Sequence, residues 1–364
     1  MGEVFTFDGN VDDLLENYSY FSTVDPPSID GSISSGAAPC KSEVVTTGFK
    51  YALASIYCLV CLLSLLGNSL VVLVVTYNRG NRSVTDIYLL NLAIADILFA
   101  LSLPIWAVYR AHEWIFGTAM CKIVSTLLQV NFYSGILLLA AISIDRFLAI
   151  VYATRAATEK RHWVKFVCVG IWLFSLLLSL PIISSREAFQ YSDPPQIVCY
   201  ENIQGSKTSE WRVVLRILPQ TFGFIIPLII MLFCYGMTVH QLFQTKNSPK
   251  KKAMKIILAV VLFFLVCWLP YNVSLLVDTL LRTGVIADSC ERRSVLDRAF
   301  LGTEILSFTH SCINPFIYAF IGQKFRNNFL KILVARGLIS KETLNQYRKG
   351  SSFSSTSGNN STTL

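Results

Sequence analysis

Three short groups of residues in this 364-residue chain point to conformational rather than covalent chemistry. Asp145-Arg146-Phe147 stands at one end of a long apolar stretch, and Asn314-Pro315-Phe316-Ile317-Tyr318 closes another. Between them lies Cys267-Trp268-Leu269-Pro270, where the proline frees a backbone carbonyl and makes a hinge beside a bulky indole. An arginine at the mouth of an apolar helix is costly unless it is used, so Arg146 is a functional-site candidate. An Asp-Arg neighbour pair alone also fits a plain helix-end ion pair. Three such groups on three apolar stretches, in this order, indicate a switch joining a pocket at one membrane face to a cleft at the other. No nucleophile elbow, phosphate loop or zinc-ligand spacing accompanies them, so no enzymatic activity, cofactor or metal is expected.

Long helices must hold these groups. The chain is 53% hydrophobic and 15% charged with a mean hydropathy of +0.52, too apolar for an ordinary water-soluble protein. Apolar runs near 50–76, 86–109, 119–145, 164–184, 213–240, 255–281 and 297–320 are candidate crossings. A helix of roughly 20 residues is enough to cross hydrocarbon. The expectation is an all-α membrane protein: a seven-transmembrane helix bundle over 50–320, an acidic segment over 1–49 and a tail over 321–364. A long polar segment without a basic leader or cleavage site precedes the first run, which is expected to act as its own insertion signal.

Lysine and arginine set the orientation. Arg79 and Arg82 follow the first run; Arg155, Lys160, Arg161 and Lys165 follow the third. Lys246, Lys250, Lys251, Lys252 and Lys255 follow the fifth, and Lys324, Arg326 and Lys331 the seventh. Alternate loops are therefore cytoplasmic, with the N-terminus extracellular, as in a multi-pass protein of the plasma membrane. This topology explains most of the +8 net charge. A nucleic-acid partner, which would need a soluble basic surface with stacking aromatics, is not expected.

The segment before residue 50 has the opposite sign, with Glu3, Asp8, Asp12, Asp13, Glu16, Asp25, Asp30 and Glu43 against Lys41. It is either a solvated tether or an electrostatic bait that speeds capture of a basic partner. Tyr18 and Tyr20 beside Glu16 suit sulfation, and Asn17-Tyr18-Ser19 is a glycosylation sequon on the extracellular side. Sequons at Asn81, Asn272, Asn359 and Asn360 fall in the membrane or the cytoplasm and are set aside. Of ten cysteines, Cys58, Cys61, Cys168, Cys234, Cys267 and Cys312 lie in spans, leaving Cys40, Cys121, Cys199 and Cys290 outside. An oxidising exterior and an even number suggest two disulfides with three possible pairings. The candidate pair is Cys121 with Cys199, which leaves Cys40 with Cys290.

Longer runs carry a resemblance. They include Gly67-Asn68-Ser69, Leu92-Ala93-Ile94-Ala95-Asp96, Trp114-Ile115-Phe116-Gly117, Trp211-Arg212 and Leu215-Arg216-Ile217-Leu218-Pro219. Further runs are Cys267 through Asn272, Cys290-Glu291-Arg292-Arg293, Thr303-Glu304-Ile305-Leu306, His310-Ser311 and Ile321 through Arg326. On these, residues 45–335 resemble rhodopsin-class G-protein-coupled receptors, within them the chemokine receptors, and most nearly the interleukin-8-type CXC receptors. The resemblance implies a receptor for CXC chemokines of the Glu-Leu-Arg type that drives calcium mobilisation and leukocyte chemotaxis through an inhibitory-type heterotrimeric G protein. Arrestin and receptor kinases are implied as further partners.

It also implies a pocket lined by Trp106, Tyr271, Asp278 and Glu304, with Arg212, Arg216, Glu291 and Arg293 at its rim. Glu304 is the sharpest member: an intramembrane carboxylate needs a partner, either a basic ligand end or another helix. Asp145, Arg146, Tyr235, Trp268, Pro270, Asn314, Pro315 and Tyr318 would form the G-protein switch, with Tyr235 and Tyr318 meeting Arg146 when the cleft opens. No acid stands at the base of the sixth span, so Arg146 is expected to have Asp145 alone. Asn68, Asp96, Asn131 and Asn314 would make a polar cluster that the family links to sodium. Gly135 and His310, where many members carry a hydroxyl and an Asn, favour a structural water network. Phe147, Tyr152, Ser102 and Leu128-Gln129 depart from the pattern too, the last altering pocket charge.

Phe325 through Leu333 alternates apolar and basic positions, as a short amphipathic cytoplasmic helix does, and no cysteine follows Cys312 to carry palmitate. Beyond residue 350 the Ser and Thr density fits a phosphorylated arrestin-binding tail or a plain linker. Thr362-Thr363-Leu364 fits capture by a PDZ domain. The alternatives are a decoy that takes up chemokine without G-protein output and a receptor for another peptide. A transporter is disfavoured by the lack of an inverted repeat or paired broken helices.

Overall fold

Lipid offers no partner to a bare peptide group, so each apolar run folds as a helix that satisfies its own backbone. The computed structural model describes residues 47–77, 82–151, 160–192, 195–203, 208–243, 248–287, 289–321, 323–342 and 345–346. Helices α1 (Thr47–Tyr77), α2 (Val84–Ala111), α3 (Gly117–Val151) and α4 (Lys160–Ser185) lead to a hairpin of β1 (Arg186–Ser192) and β2 (Pro195–Glu201). The fifth crossing is α5 (Thr208–Gln220), a π-helical turn (Thr221–Ile225) and α6 (Ile226–Phe243). Then come α7 (Ser248–Arg282), α8 (Cys290–Ile321) and α9 (Gln323–Ala335). All of this belongs to one unit, Ser42–Leu364.

Six described stretches are long and apolar enough to cross a membrane, from Thr47–Tyr77 to Val261–Arg282. The seventh crossing, α8, is the least apolar because Glu304, His310 and Asn314 interrupt it, and each of the three is used inside the bundle. The residue pattern is that of a protein whose solvent is lipid. Leu59, Leu62 and Leu66 on α1 and Leu173, Leu177 and Leu180 on α4 are exposed, while Asn68, Asp96, Asn131, Asn314 and Thr238 are buried. Buried hydroxyls return to their own helix, as Ser175 does to Ile171 at 2.8 Å and Ser179 to Ser175 at 2.7 Å.

α3 is the central rod. It packs against α2, α4, α6, α7 and β1, while α1 and α8 touch each other and close the ring. Two glycines permit close approaches. A side chain at Gly67 would meet Pro315 at 2.9 Å, and one at Gly223 would meet the Phe132 ring at 2.2 Å. Gly223 lies in the π-helical turn, just past Pro219. α9 rests on α1 and α8, with Ile332 buried and Phe325 against the bundle core. Gly337, at φ 72°, ends this region: Gly337 N–H donates to Val334 O at 3.0 Å and Leu338 N–H to Leu333 O at 2.9 Å.

Candidate ligand pocket and switch

The hairpin is fastened at several points to the start of α3. Cys121 on α3 is disulfide-bonded to Cys199 on β2. Trp114 N–H donates to Ile197 O at 2.9 Å, Ile197 N–H to Glu113 Oε2 at 3.0 Å, and Ala188 N–H to Thr118 Oγ1 at 3.2 Å. The Trp114 indole is fully buried and donates to Gly117 O at 2.9 Å. Sequence reasoning foresaw the disulfide pair but no strands. The signal was present in β-branched and aromatic residues on either side of Asp193-Pro194-Pro195. Cys290 is disulfide-bonded, whereas Cys40 lies outside the described residues, as do Asn17, Tyr18 and Tyr20.

At the hairpin end the charged residues form two groups. In the first, Arg110 on α2 meets Glu304 on α8 at 2.5 Å and lies over the ring of Tyr57 on α1, 6.0 Å from its centroid. Of the two partners weighed for Glu304, this is the second, another helix, and Arg110 was not foreseen in that role. In the second, Arg216 on α5 pairs with Asp278 on α7 and, at 3.4 Å, with Glu201 on β2. Arg282 adds a bond to Asp278 at 2.9 Å, and Arg186 reaches Glu201 at 3.8 Å. Tyr271 stands within electrostatic reach of both groups and packs on Trp268 and Phe300. Trp106 is buried beside Trp114.

The remaining rim residues separate. Arg212 forms no ion pair among the described residues, and its Nε is buried without a hydrogen-bond partner. Glu291 instead lines a cavity of about 460 Å³ between α7 and α8, with Arg292, Val273 and Val295. Arg293 lies within electrostatic reach of Asp297.

At the opposite end Arg146 bonds Asp145 at 2.8 Å and also the hydroxyl of Thr85 on α2. This corrects the expectation that Asp145 alone holds it: a neutral hydroxyl on a neighbouring helix serves where no acid is at hand. Phe147 packs edge-on against Phe233, at 5.7 Å. The Tyr235 hydroxyl is buried beside Ser143, and the Tyr318 side chain lies outside the described residues. Midway, Trp268 is packed by Phe132 at 4.5 Å, His310 at 5.3 Å and Phe264 at 5.9 Å. Around Pro270, Asn272 donates to Trp268 O at 2.9 Å, and Gln220 from α5 donates to Asn272 O at 3.2 Å.

The polar cluster gathers on Asp96. Asn131 donates to one carboxylate oxygen at 3.0 Å and Asn314 to the other at 3.2 Å, with His310 Nε2 at 3.5 Å. Asn68 turns elsewhere, to Ser311 O at 2.8 Å and Ser64 O at 3.0 Å, and so ties α1 to α8. The carboxylate is ringed by nitrogen groups, two amides donating to it, and Gly135 supplies no oxygen. This arrangement suits hydrogen-bonded linkage of α2, α3 and α8.

The chain matches the model of the 7 transmembrane receptor (rhodopsin family) over residues 67–318. It is 58% identical over 350 residues to C-X-C chemokine receptor type 2 of Homo sapiens, covering 96% of this chain and 95% of that one. It is 61% identical over 322 residues to C-X-C chemokine receptor type 1 of Oryctolagus cuniculus, covering 88% and 90% respectively. Type 2 of Oryctolagus cuniculus is 59% identical over 351 residues, covering 96% and 95%. These likenesses span the crossings, the hairpin and the Arg146 latch together, and on them the chain belongs to the C-X-C chemokine receptors, a receptor rather than enzyme family within the rhodopsin-type seven-transmembrane proteins.

Proposed function

We propose that this protein is a plasma-membrane receptor, N-terminus outside, for Glu-Leu-Arg-type CXC chemokines, and that it couples to an inhibitory-type G protein to drive calcium release and leukocyte chemotaxis. The observation that carries this reading is the 58–61% identity to C-X-C chemokine receptors over nearly the whole chain. The mixed acids and arginines at the hairpin end suit a ligand end with both signs, and Trp268 in its ring cluster lies between that end and Arg146. Arrestin, receptor kinases and a PDZ protein at Thr362-Thr363-Leu364 are proposed as tail partners.

The intact Asp145-Arg146 pair favours signalling over the decoy alternative. Phe147 lacks only a tyrosine hydroxyl, worth on the order of 1 kcal/mol if bonded, against roughly 5 kcal/mol needed to shift a two-state equilibrium from closed to open. Cells bearing the receptor should answer an interleukin-8-like chemokine with calcium release and lowered cyclic AMP, both blocked by pertussis toxin. Arg146→Ala should abolish both while chemokine still binds. Strong chemokine uptake by the wild type without any G-protein response would establish the decoy instead.

A further inference from the structure

The cavity of about 460 Å³ between α7 and α8 is walled by Val273, Val277 and Leu281 on α7, Val295 and Ala299 on α8, and Ile286 of the joining loop. On α7 these residues lie about a third of a turn from the face that carries Tyr271, Asp278 and Arg282. The loop is folded back over the helix end: Gly284, at φ 74°, turns the chain, and Ile286 N–H donates to Leu280 O at 3.2 Å. The cavity opens toward lipid, because Val273 continues the exposed stripe of Leu262, Val266, Leu269 and Leu276, and Val295 is exposed as well. Two opposite charges flank its mouth. Glu291 and Arg292 are both exposed and both line it. Successive helix residues point about 100° apart, so these two are poorly placed to neutralise each other. Arg292 is anchored to Ala287 O, which leaves most of its N–H groups for another acceptor.

We propose that this cavity is a lipid site for a zwitterionic phospholipid of the leaflet at the hairpin end. One acyl chain lies in the cavity, the phosphate sits on Arg292, and the ammonium group sits on Glu291. From Val273 to Leu281 the wall runs about 12 Å along the helix axis, close to the roughly 15 Å of hydrocarbon in one leaflet. Selection lies in the head rather than the tail. An acyl chain is as well solvated by lipid as by valine and leucine, so entering the cavity gains little beyond contacts that its walls otherwise lack. A phosphate on Arg292 makes charge-assisted hydrogen bonds, and a cation on Glu291 completes the match. A purely anionic head would gain Arg292 and be repelled by Glu291. A sterol would leave both charges unmatched. The site goes beyond the receptor reading and does not depend on which ligand the receptor takes.

Photolabelling of the full-length receptor in vesicles of an uncharged glycolipid, digalactosyl diacylglycerol, tests this. The probes, at trace level, are phosphatidylcholine and phosphatidylglycerol, each with a photoreactive group on one acyl chain. Phosphatidylcholine should label peptides holding Val273–Leu281 and Val295–Ala299 more than the exposed α4 stretch Leu173–Leu180, by about fivefold or more. Arg292→Gln and Glu291→Gln should each bring that excess below about twofold, with the α4 label unchanged as the sign of an intact bundle. Glu291→Gln should also raise labelling of the cavity by phosphatidylglycerol. Ala299→Phe, which fills the space, should remove the excess; if it does not fold, the two exposed-charge variants carry the test. Equal labelling of cavity and α4 peptides by phosphatidylcholine would overturn the site. So would phosphatidylglycerol labelling the wild-type cavity as strongly, which would make it an anionic-lipid contact, or loss of the label to a small share of cholesterol, which would make it a sterol site. No chemokine enters the measurement, so the receptor reading stands or falls separately.

Discussion

Arg146 shows how a charged side chain at the end of a span is held when no acid faces it. Thr85 accepts one of its donors, joining α2 to α3 with a contact that removal of a single oxygen would break. A hydrogen bond to a charged group contributes about 1.5–3 kcal/mol when well buried, and less here because Arg146 is a quarter exposed. Thr85→Val should therefore raise ligand-independent signalling by up to about tenfold, read as basal cyclic AMP suppression. Unchanged basal output at equal surface expression would mean that the latch does not restrain the switch. Gly223 makes the opposite kind of contact, defined by what is missing. A methyl there would sit 2.2 Å from the Phe132 ring and 2.9 Å from Tyr133, and Phe132 itself rests on Trp268. Gly223→Ala should lower the melting temperature of the solubilised receptor, in line with overpacking costs of about 1–3 kcal/mol. An unaltered melting temperature would mean that the ring moves aside freely. Arg110 was legible in principle, being an ionisable residue at the end of a span, whereas Thr85 was not. A threonine in a helix end carries no mark of the arginine 61 residues away that it meets.

Among the elements, the hairpin is the one that sequence patterning left unforeseen, and it does much to position the pocket. Along β2 burial rises toward the disulfide, with Pro195 and Ile197 exposed and Cys199 and Glu201 buried. The hairpin is fixed by one covalent bond and by hydrogen bonds from Glu113, Trp114 and Thr118. Glu201, at its end, reaches back to Arg216 and so ties the strand to the fifth crossing. Cys199→Ser should remove about 2–5 kcal/mol of stability, the usual range for a native disulfide. We expect less receptor at the cell surface and weaker chemokine binding per receptor, measured by flow cytometry with labelled chemokine. Full surface expression with unchanged affinity would show that the hydrogen bonds alone hold the hairpin. The helices were easier to read, since long apolar runs have one solution in lipid. Their ends ran past the apolar stretches: α3 continues to Val151 and α7 begins at Ser248, where polar residues extend each helix beyond the hydrocarbon.

For the whole molecule, charge is distributed by region: acids crowd the first fifty residues, while lysines and arginines flank alternate spans. A basic chemokine would feel the acidic segment from a distance, with a reach set by a Debye length of about 8 Å at physiological salt. Deleting residues 1–35 should slow chemokine association and flatten its salt dependence, with little change in receptor abundance. Association measured across a salt series checks this, and identical slopes for the two receptors would reduce the segment to a tether. The helix bundle could be read because it follows from composition and period. Which helix faces which could not: Arg110 lies 194 residues from Glu304, Arg216 lies 62 residues from Asp278, and Glu201 is on the hairpin, so of these pairings only Asp278 with Arg282, four residues on, follows a local pattern.

The π-helical turn at Thr221–Ile225 works as a phase shifter. One residue of an α-helix turns the chain by about 100°, so the extra residue re-indexes everything before it against everything after. The half carrying Arg216 is thereby aimed at Asp278 while the half carrying Met231 keeps its own aim at the core. The two halves answer to different neighbours and can be retuned separately. A chimera that exchanges either half must carry the whole turn with it, or the graft will arrive with the right residues on the wrong side of the helix.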